Sequence, residues 1–370
     1  MSDRSISIMQ VISSLTFGGA ERMAVNLANS LPRDRFRAHL CSTRSEGPLA
    51  ALIRDDVSRL ALNRSTRLSE LRALFSLREY IRRHDVRILH CHSTTVFLCS
   101  LVSLLCPSVE IVWHDHWGEA YPKPRWLYWI GTRRVRAIIA VNDHLASWAK
   151  EALGFSEDRV HFVRNFVVTS PTGEKPDLPT STGYRVVCVT NVRPQKDLVN
   201  LVAAIALVAQ EFQDIQVLVV RDHKDPAYLE KVEKAIGEHE LEDRLLLLGA
   251  RGDVTDILAL SDIGVLSSES EGLPLALLEY GMAGLATVST RVGQCAEVLG
   301  DGRYGLLVPP GDSQALADAI IRLLRSDSER EALGREFQRA TIEEWGPDRN
   351  IGKFVDIYDS VLKQSPKLIN

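Results

Sequence analysis

The chain of 370 residues contains no apolar run near the roughly 20 residues that a membrane-crossing helix needs. Its longest candidate, residues 96–106, is about half that length and holds two serines, which predicts a buried helix. No Cys-x-x-Cys pair occurs. The six cysteines, Cys41, Cys91, Cys99, Cys106, Cys188 and Cys295, are scattered, which suits a reduced cytoplasm better than a disulfide framework. Neither Gly-x-Gly-x-x-Gly nor a P-loop is present, so neither NAD nor ATP binding follows. No basic, aromatic-rich module of a nucleic-acid binder is present, so no nucleic-acid partner is expected. The first residues, Met-Ser-Asp-Arg, lead straight into a β-rich run and are not expected to form a signal peptide.

What is there is globular: 45% hydrophobic and 25% charged residues, in a chain too long for one ordinary core. The net charge of −4 conceals an asymmetry. Residues 1–165 carry 23 Lys+Arg against 16 Asp+Glu, and only Lys123 and Lys150 among those cations are lysine; the remainder is net −11. An Arg-rich first half suits an anionic partner, either a phosphorylated acceptor or the anionic cytoplasmic leaflet; a solvated basic surface is the alternative. The segment 121–136 mixes Trp126, Trp129 and tyrosines with Arg125, Arg133, Arg134 and Arg136. That mixture suits a bilayer interface as well as a packed helix with its arginines in solvent.

Short β-rich runs alternate with amphipathic stretches. Strands are expected at 5–13, 37–43, 87–91, 110–114 and 137–141, with helices at 20–31 and 68–84, the latter on a stripe of Leu71, Leu74, Leu77 and Ile81. A Pro/Thr/Ser/Gly-rich stretch at 169–183 reads as a linker. A second βα series follows: strands at 184–190, 216–220, 244–248, 263–267, 286–289 and 305–308, and helices at 198–211, 227–238, 254–259, 275–283 and 313–324. The expected architecture is α/β, with two Rossmann-like domains facing across a cleft. Residues 1–168 with about 346–370 form an acceptor-binding domain, and 184–345 a nucleotide-sugar-binding domain.

The stretch Glu271-Gly-Leu-Pro-Leu-Ala-Leu-Leu-Glu279 carries the most chemistry. Gly272 allows a turn and Pro274 suits the start of a helix. Glu271 then precedes the helix, and Glu279 lies on the order of 8–9 Å beyond its start. The open N–H groups between the two carboxylates form an anion site, around Leu273 and Leu275. An anion flanked by hydroxyl-binding carboxylates suits a nucleotide diphosphate sugar. Arg193 and Lys196 follow the first strand of the second series and are expected to neutralise a diphosphate. No Asp-x-Asp triplet exists, so that charge is assigned to protein cations, with no metal and no cofactor. Gly18-Gly19, between the first strand and helix, permits close approach to a phosphate, or is an ordinary βα turn. His90, His92, His114 and His116 lie two apart on neighbouring strands. Each pair shares a strand face, either lining a cleft wall or, less simply, forming part of a zinc site that lacks a further ligand set.

The stretch from Ser267 to Gly284 resembles the signature of family 4 retaining glycosyltransferases of the GT-B fold. So do 249–254, 305–312, 17–21 and 113–115, in the family's order and over roughly residues 6–360. The resemblance implies that Glu271 contacts the donor hexose near its 3-hydroxyl and that Glu279 holds the ribose hydroxyls. It implies that Lys196 binds the diphosphate, that His114 lies beside the reaction centre, and that the backbone at Arg251 meets the base. It also implies that a C-terminal helix near 348–362 crosses back to the N-terminal domain. Two departures stand out. Where the family reads Gly-Arg ahead of its Lys, this chain has Thr190-Asn191, with Arg193 following. Where the family often has a Gly-rich turn after 216–220, this chain has Arg221-Asp-His223. The implied activity is metal-independent, retaining transfer from a UDP- or GDP-sugar to a saccharide or lipid-linked saccharide acceptor, in bacterial surface polysaccharide or glycan synthesis. The protein is then expected in the cytoplasm, peripheral at the inner face of the membrane. A GT-B nucleotide-sugar epimerase and a catalytically silent nucleotide-sugar-binding protein are the alternatives.

Overall fold

A computed structural model describes residues 5–16, 18–116, 124–169, 173, 175–180, 183–221 and 225–364. By its internal contacts the chain divides into two compact units, Met1–Phe166 with Pro347–Asn370, and Val167–Gly346.

Unit 1 is a seven-stranded sheet, with the strands β1 (Ile6–Ser14), β2 (Phe36–Ser45), β3 (Ser58–Ala61), β4 (Val86–His92), β5 (Glu110–Asp115), β6 (Val135–Ala140) and β7 (Val160–Phe162). They are ordered β3-β2-β1-β4-β5-β6-β7, all neighbours parallel. Its helices are α1 (Gly19–Ser30), α2 (Arg67–Arg83), α3 (Val96–Leu105), α4 (Arg125–Gly131), α5 (Asp143–Leu153) and, from the far end of the chain, a C-terminal helix (Pro347–Lys363). The central strands are buried on both faces, which is why they read as continuous Val/Ile/Leu runs rather than as alternation. Side chains fix the helix starts: Thr66 and Ser69 form a capping box on α2, and Asn142 caps α5.

Unit 2 is a six-stranded parallel sheet of β8 (Arg185–Val189), β9 (Gln216–Val220), β10 (Leu245–Gly249), β11 (Ile263–Leu266), β12 (Ala286–Thr290) and β13 (Leu306–Val308), in the order β10-β9-β8-β11-β12-β13. Its helices are α6 (Leu198–Glu211), α7 (Pro226–Glu238), α8 (Val254–Ala259), α9 (Leu275–Ala283), α10 (Cys295–Val298), α11 (Ser313–Arg325) and α12 (Asp327–Trp345), so the C-terminal helix of unit 1 is α13. Both sheets are Rossmann-like, and each reverses strand order once, between β1 and β4 and between β8 and β11. Loops on either side of such a point diverge and leave a crevice at the carboxyl ends of the strands.

Two local expectations are corrected. Residues 96–106 form α3, but Leu101, Leu104 and Leu105 on it are exposed, so the helix is buried on one face only. On α2, Leu77 and Ile81 enter the core and Leu74 packs against it, whereas Leu71 is exposed; the stripe is narrower than its leucines suggest. Short edge strands β3 and β7 and helices α5 and α10 fall outside the expected elements. The strands run only four and three residues, too few for an alternation to register.

Tyr280 ties α9 to the sheet. Its ring lies flat against Gly264 of β11, where an added Cβ would come within 2.6 Å of it. Its hydroxyl accepts from the Val189 amide at 2.7 Å and donates to the Val265 carbonyl at 3.1 Å. Tyr280 is fully buried, so losing the hydroxyl leaves buried backbone groups short of a partner. Tyr280→Phe is expected to lower the unfolding free energy by about 1–3 kcal/mol. Urea denaturation monitored on unit 2 checks this; an unchanged midpoint would mean that other contacts hold α9 in place.

Candidate functional site

The crevice end of unit 2 is built from three loops. The loop after β8 closes in a tight turn over Pro194–Lys196, with Asp197 in the left-handed region (φ 43°) as it caps α6. The loop after β11 runs beside it: the Glu269 amide donates to the Gln195 carbonyl at 2.9 Å, and Ser267 Oγ to the Lys196 carbonyl at 2.9 Å. The loop after β12 supports the second. Thr290 Oγ1 donates to the Ser268 carbonyl, the Gln294 amide donates to the Gly272 carbonyl, and Gly293 (φ 49°) lies so close that an added Cβ would sit 2.0 Å from the Glu271 carbonyl oxygen. Gly293 does not stand out in the sequence, because only the fold shows what it touches.

Within this frame Lys196 and Glu271 form one assembly. Lys196 Nζ donates to both carboxylate oxygens, at 2.6 and 2.7 Å, and Ser268 Oγ donates to one of them at 2.7 Å. The Glu271 side chain is 8% exposed and that of Lys196 24%, so the ammonium is the group with a face still open. An ammonium has three donors, and the carboxylate uses two. Arg193 stands exposed at the start of the same turn, without a side-chain hydrogen bond or ion pair among the described residues. Asn191 keeps a buried side-chain oxygen without a partner among the described residues.

The second carboxylate has a partner that sequence did not reveal. Glu279, buried on α9, accepts from Arg221 Nη2 at 2.5 Å, across 58 residues of sequence. Arg221 directly follows β9 with φ 136°, a backbone region that favours glycine. The arginine therefore occupies, under strain, the start of the turn where the resemblance led one to expect glycine. Asp222 and His223 of that turn lie outside the described residues. Between the two carboxylates, α9 begins at Leu275 behind Pro274 with no side chain capping its amides, and Gly272 and Leu273 lead into it. A Cβ on Gly272 would meet nothing within 4 Å. The guanidinium of Arg251, in contrast, is clipped to Asp253 by two bonds at 2.8 and 2.6 Å.

In unit 1 the Gly18–Gly19 turn starts α1, Gly18 being extended (φ −167°). The Glu21 carboxylate lies over Gly18, 2.2 Å from where a Cβ would be, so an acid already sits at this helix start. Phe17 lies outside the described residues. The four strand histidines meet on one face of the sheet, under α13. His90 and His92 end β4; His114 lies on β5 and His116 just after it, with His92 and His114 paired in register. The rings bond to one another: His90 Nε2 to His114 Nδ1 at 3.2 Å and His92 Nδ1 to His116 Nε2 at 2.9 Å. Burial, followed by the charge of His116, pushes the His90 imidazole down to about 3. Burial brings His116 to about 3 and holds His92 and His114 well below the ordinary 6.5. All four are neutral at physiological pH. One nitrogen from each of His90, His92 and His114 lies within 4.8 Å of the others, a trio that sequence spacing did not assemble. A metal ion there would have to displace the ring-to-ring bonds.

A face of unit 1 outside the sheet carries exposed Leu101, Leu104 and Leu105 on α3 with Trp126, Leu127, Trp129 and Ile130 on α4. The two helices are held together by Gly131, which fits against the Phe97 ring, and by Ser100 Oγ donating to the Gly131 carbonyl. The Arg133 guanidinium stacks over the Trp129 ring. Residues 117–123, the start of this aromatic and basic segment, lie outside the described residues.

The strain at residue 221 can be isolated. Arg221→Gly and Arg221→Ala both remove the ion pair, but only glycine relaxes the positive φ. The glycine variant is therefore expected to be about 1–2 kcal/mol more stable than the alanine variant, the reverse of the usual order. Thermal and urea unfolding of the two variants checks it; an alanine variant at least as stable as the glycine one would remove the strain from the account.

Family models match the chain in two stretches, "Glycosyltransferase Family 4" over residues 17–171 and "Glycosyl transferases group 1" over residues 183–326, together well over half of it. N-acetyl-alpha-D-glucosaminyl L-malate synthase of Bacillus anthracis is 30% identical over 210 residues, 56% of this chain; the chain spans only 53% of that relative's length. UDP-Gal:alpha-D-GlcNAc-diphosphoundecaprenol alpha-1,3-galactosyltransferase of Escherichia coli is 22% identical over 95% of this chain and 96% of its own. Among solved structures, the Anabaena protein HepE in complex with UDP and glucose superposes with a TM-score of 0.78, at 19% identity, over 96% of this chain and 100% of that one. With its two parallel-sheet units and its matches in both, the chain belongs to the family 4, group 1, glycosyltransferases of the GT-B fold.

Proposed function

We propose that the protein is a retaining, metal-independent glycosyltransferase that moves a sugar from a nucleotide diphosphate sugar, a UDP- or GDP-sugar, to a saccharide or lipid-linked saccharide, in bacterial surface polysaccharide or glycan synthesis. The observation that carries this reading is the arrangement on unit 2: two buried carboxylates, each held by a cation, on either side of an uncapped helix start. Glu271 accepts from a donor hexose hydroxyl and Glu279 from the ribose. Lys196, with its third proton, and the unpaired Arg193 take the diphosphate, together with the amides around Gly272, Leu273, Pro274 and Leu275. The backbone at Arg251 lies at the base. In unit 1, His114 donates to a substrate oxygen and Gly18–Gly19 faces a phosphate.

The bond from the anomeric carbon to the diphosphate oxygen breaks, and the acceptor oxygen attaches on the same face. The acceptor's proton leaves on the departing phosphate, which guides this same-face attack. Stabilising the leaving diphosphate is then the largest catalytic contribution. The names of relatives support the substrate classes: the Escherichia coli protein is named for a UDP-galactose donor and a diphosphoundecaprenol-linked acceptor. The α3–α4 face, apolar with Trp and Arg at its rim, is proposed to rest on the anionic inner leaflet, where such an acceptor is held. No helix among the described residues is long and apolar enough to cross a membrane. The protein is proposed to work in the cytoplasm.

Thermal stabilisation by UDP-, GDP- and ADP-sugars is expected to select one donor, at about 2.7 kcal/mol for a ligand at 100 times its dissociation constant. With that donor, Lys196→Ala is expected to slow transfer by about 10²–10³-fold. A near-wild-type rate would remove Lys196 from the mechanism, and conversion of the sugar without any acceptor would identify an epimerase instead. For the membrane face, co-flotation with anionic liposomes at low salt is expected, and its loss in Trp126→Ser with Trp129→Ser. Wild-type protein that stays at the bottom of the gradient refutes the contact.

A further inference from the structure

The side chains around His114 form a chain of hydrogen bonds with one consistent direction. Gln10, on β1, begins it. Its Nε2 donates to the Tyr358 hydroxyl at 3.3 Å, and its Oε1 accepts from His92 Nε2 at 2.9 Å. The Tyr358 hydroxyl thus already accepts one proton. Its own proton has a single acceptor among the described residues, His90 Nδ1 at 2.6 Å. His90, neutral and unprotonated at Nδ1, carries its proton on Nε2 and gives it to His114 Nδ1. His114, accepting at Nδ1 and also neutral, carries its proton on Nε2. That nitrogen is buried and has no partner among the described residues. With Gln10 Nε2 facing Tyr358, the opposite direction would have His90 donate from Nδ1 to Tyr358, and the phenolic proton would then face no acceptor. A buried donor without an acceptor costs about 1–3 kcal/mol, and here the polarity of its neighbours aims it.

We propose that Gln10, Tyr358 and His90 are positioning residues that lock His114 in the Nε2–H tautomer, so that it offers a hydrogen-bond donor, never an acceptor or a cation, to an oxygen of the substrate. The lock runs from the first strand of the chain through its last helix, since Tyr358 lies on α13. It works without any charge, because burial keeps every ring neutral. His92 belongs to a second arm of the same lock: donating from Nε2 to Gln10, it accepts at Nδ1 from His116. The part concerning substrate rests on the proposed glycosyltransferase function; the tautomer itself does not.

Long-range proton–nitrogen spectra of the full chain labelled with ¹⁵N-histidine read the tautomer directly, with no substrate present. In the wild type, His114 and His90 are expected protonated at Nε2 and bare at Nδ1. Gln10→Glu keeps the shape and reverses the polarity. The new carboxylate accepts from Tyr358, which in turn accepts from His90 Nδ1, and the proton on His114 is expected to move to Nδ1. Tyr358→Phe, which only breaks the chain, is expected to leave His90 and His114 as mixed tautomers. In both variants, turnover of the nucleotide sugar selected by thermal stabilisation should fall by about tenfold, the worth of one hydrogen bond. A wild-type His114 protonated at Nδ1, or one whose tautomer ignores Gln10→Glu, overturns the lock. A tautomer that moves while turnover does not overturns its role at the substrate. Stoichiometric zinc uptake that shifts His90, His92 and His114 together also overturns it, and makes the cluster a metal centre. If the wild type turns over no nucleotide sugar, the proposed function fails, while the resting tautomer still tests the lock.

Discussion

A charge taken out of water needs a partner, and in unit 2 that requirement organises the candidate site. Two glutamates lie almost inaccessible, one in the loop after β11 and one on α9, and each is answered by a cation from a different loop. Removing one member of such a pair strands the other, which is far costlier than the pair itself is stabilising. The loops after β8, β9 and β11 are therefore fastened to one another and to α9 by these ion pairs. The cross-loop bonds from Ser267, Glu269 and Gln294 and the close fit of Gly293 hold the same loops from beneath. Geometry suited to a ligand and geometry suited to folding coincide here.

Unit 1 meets the same requirement by the opposite route. Its buried polar face, of Gln10, His90, His92, His114 and Tyr358, carries no formal charge. Each group is satisfied by the orientation of its neighbour, and the one donor left over is at His114. In one unit a site is prepared by compensated ions, in the other by ordered dipoles.

Much of this was legible in the linear sequence where a signal is local. The helices at Leu198–Glu211, Val254–Ala259 and Leu275–Ala283 match their expected bounds, because Asp197, Asp253 and Pro274 mark their starts and alternating β and α runs frame them. Glu271, Lys196 and His114 stand out for the same reason, as polar groups at the ends of apolar strands. What could not be read was whatever depends on strand order. Arg221 reaches Glu279 only because β9 is two places from β11, and Tyr358 reaches His90 across 268 residues. Arg221 looked like a departure from the family's glycine, and nothing nearby in sequence indicates what its side chain meets. The exposed leucines of α3 misled for a related reason: a run apolar all round says nothing of which side the core will take.

The neutrality of the buried histidines has a cost that emerges only in acid. Their folded values lie far below the 6.5 of a free imidazole, down to about 3 for His90, whereas the unfolded chain titrates normally. Above pH 6.5 neither state binds these protons and the difference is silent. Below it, unfolding takes up protons that the folded unit refuses, and each fully buried ring steepens the loss of stability by up to about 1.4 kcal/mol per pH unit. Mild acidification, which would leave a surface histidine's contribution to stability unchanged, therefore destabilises the first unit through these buried rings.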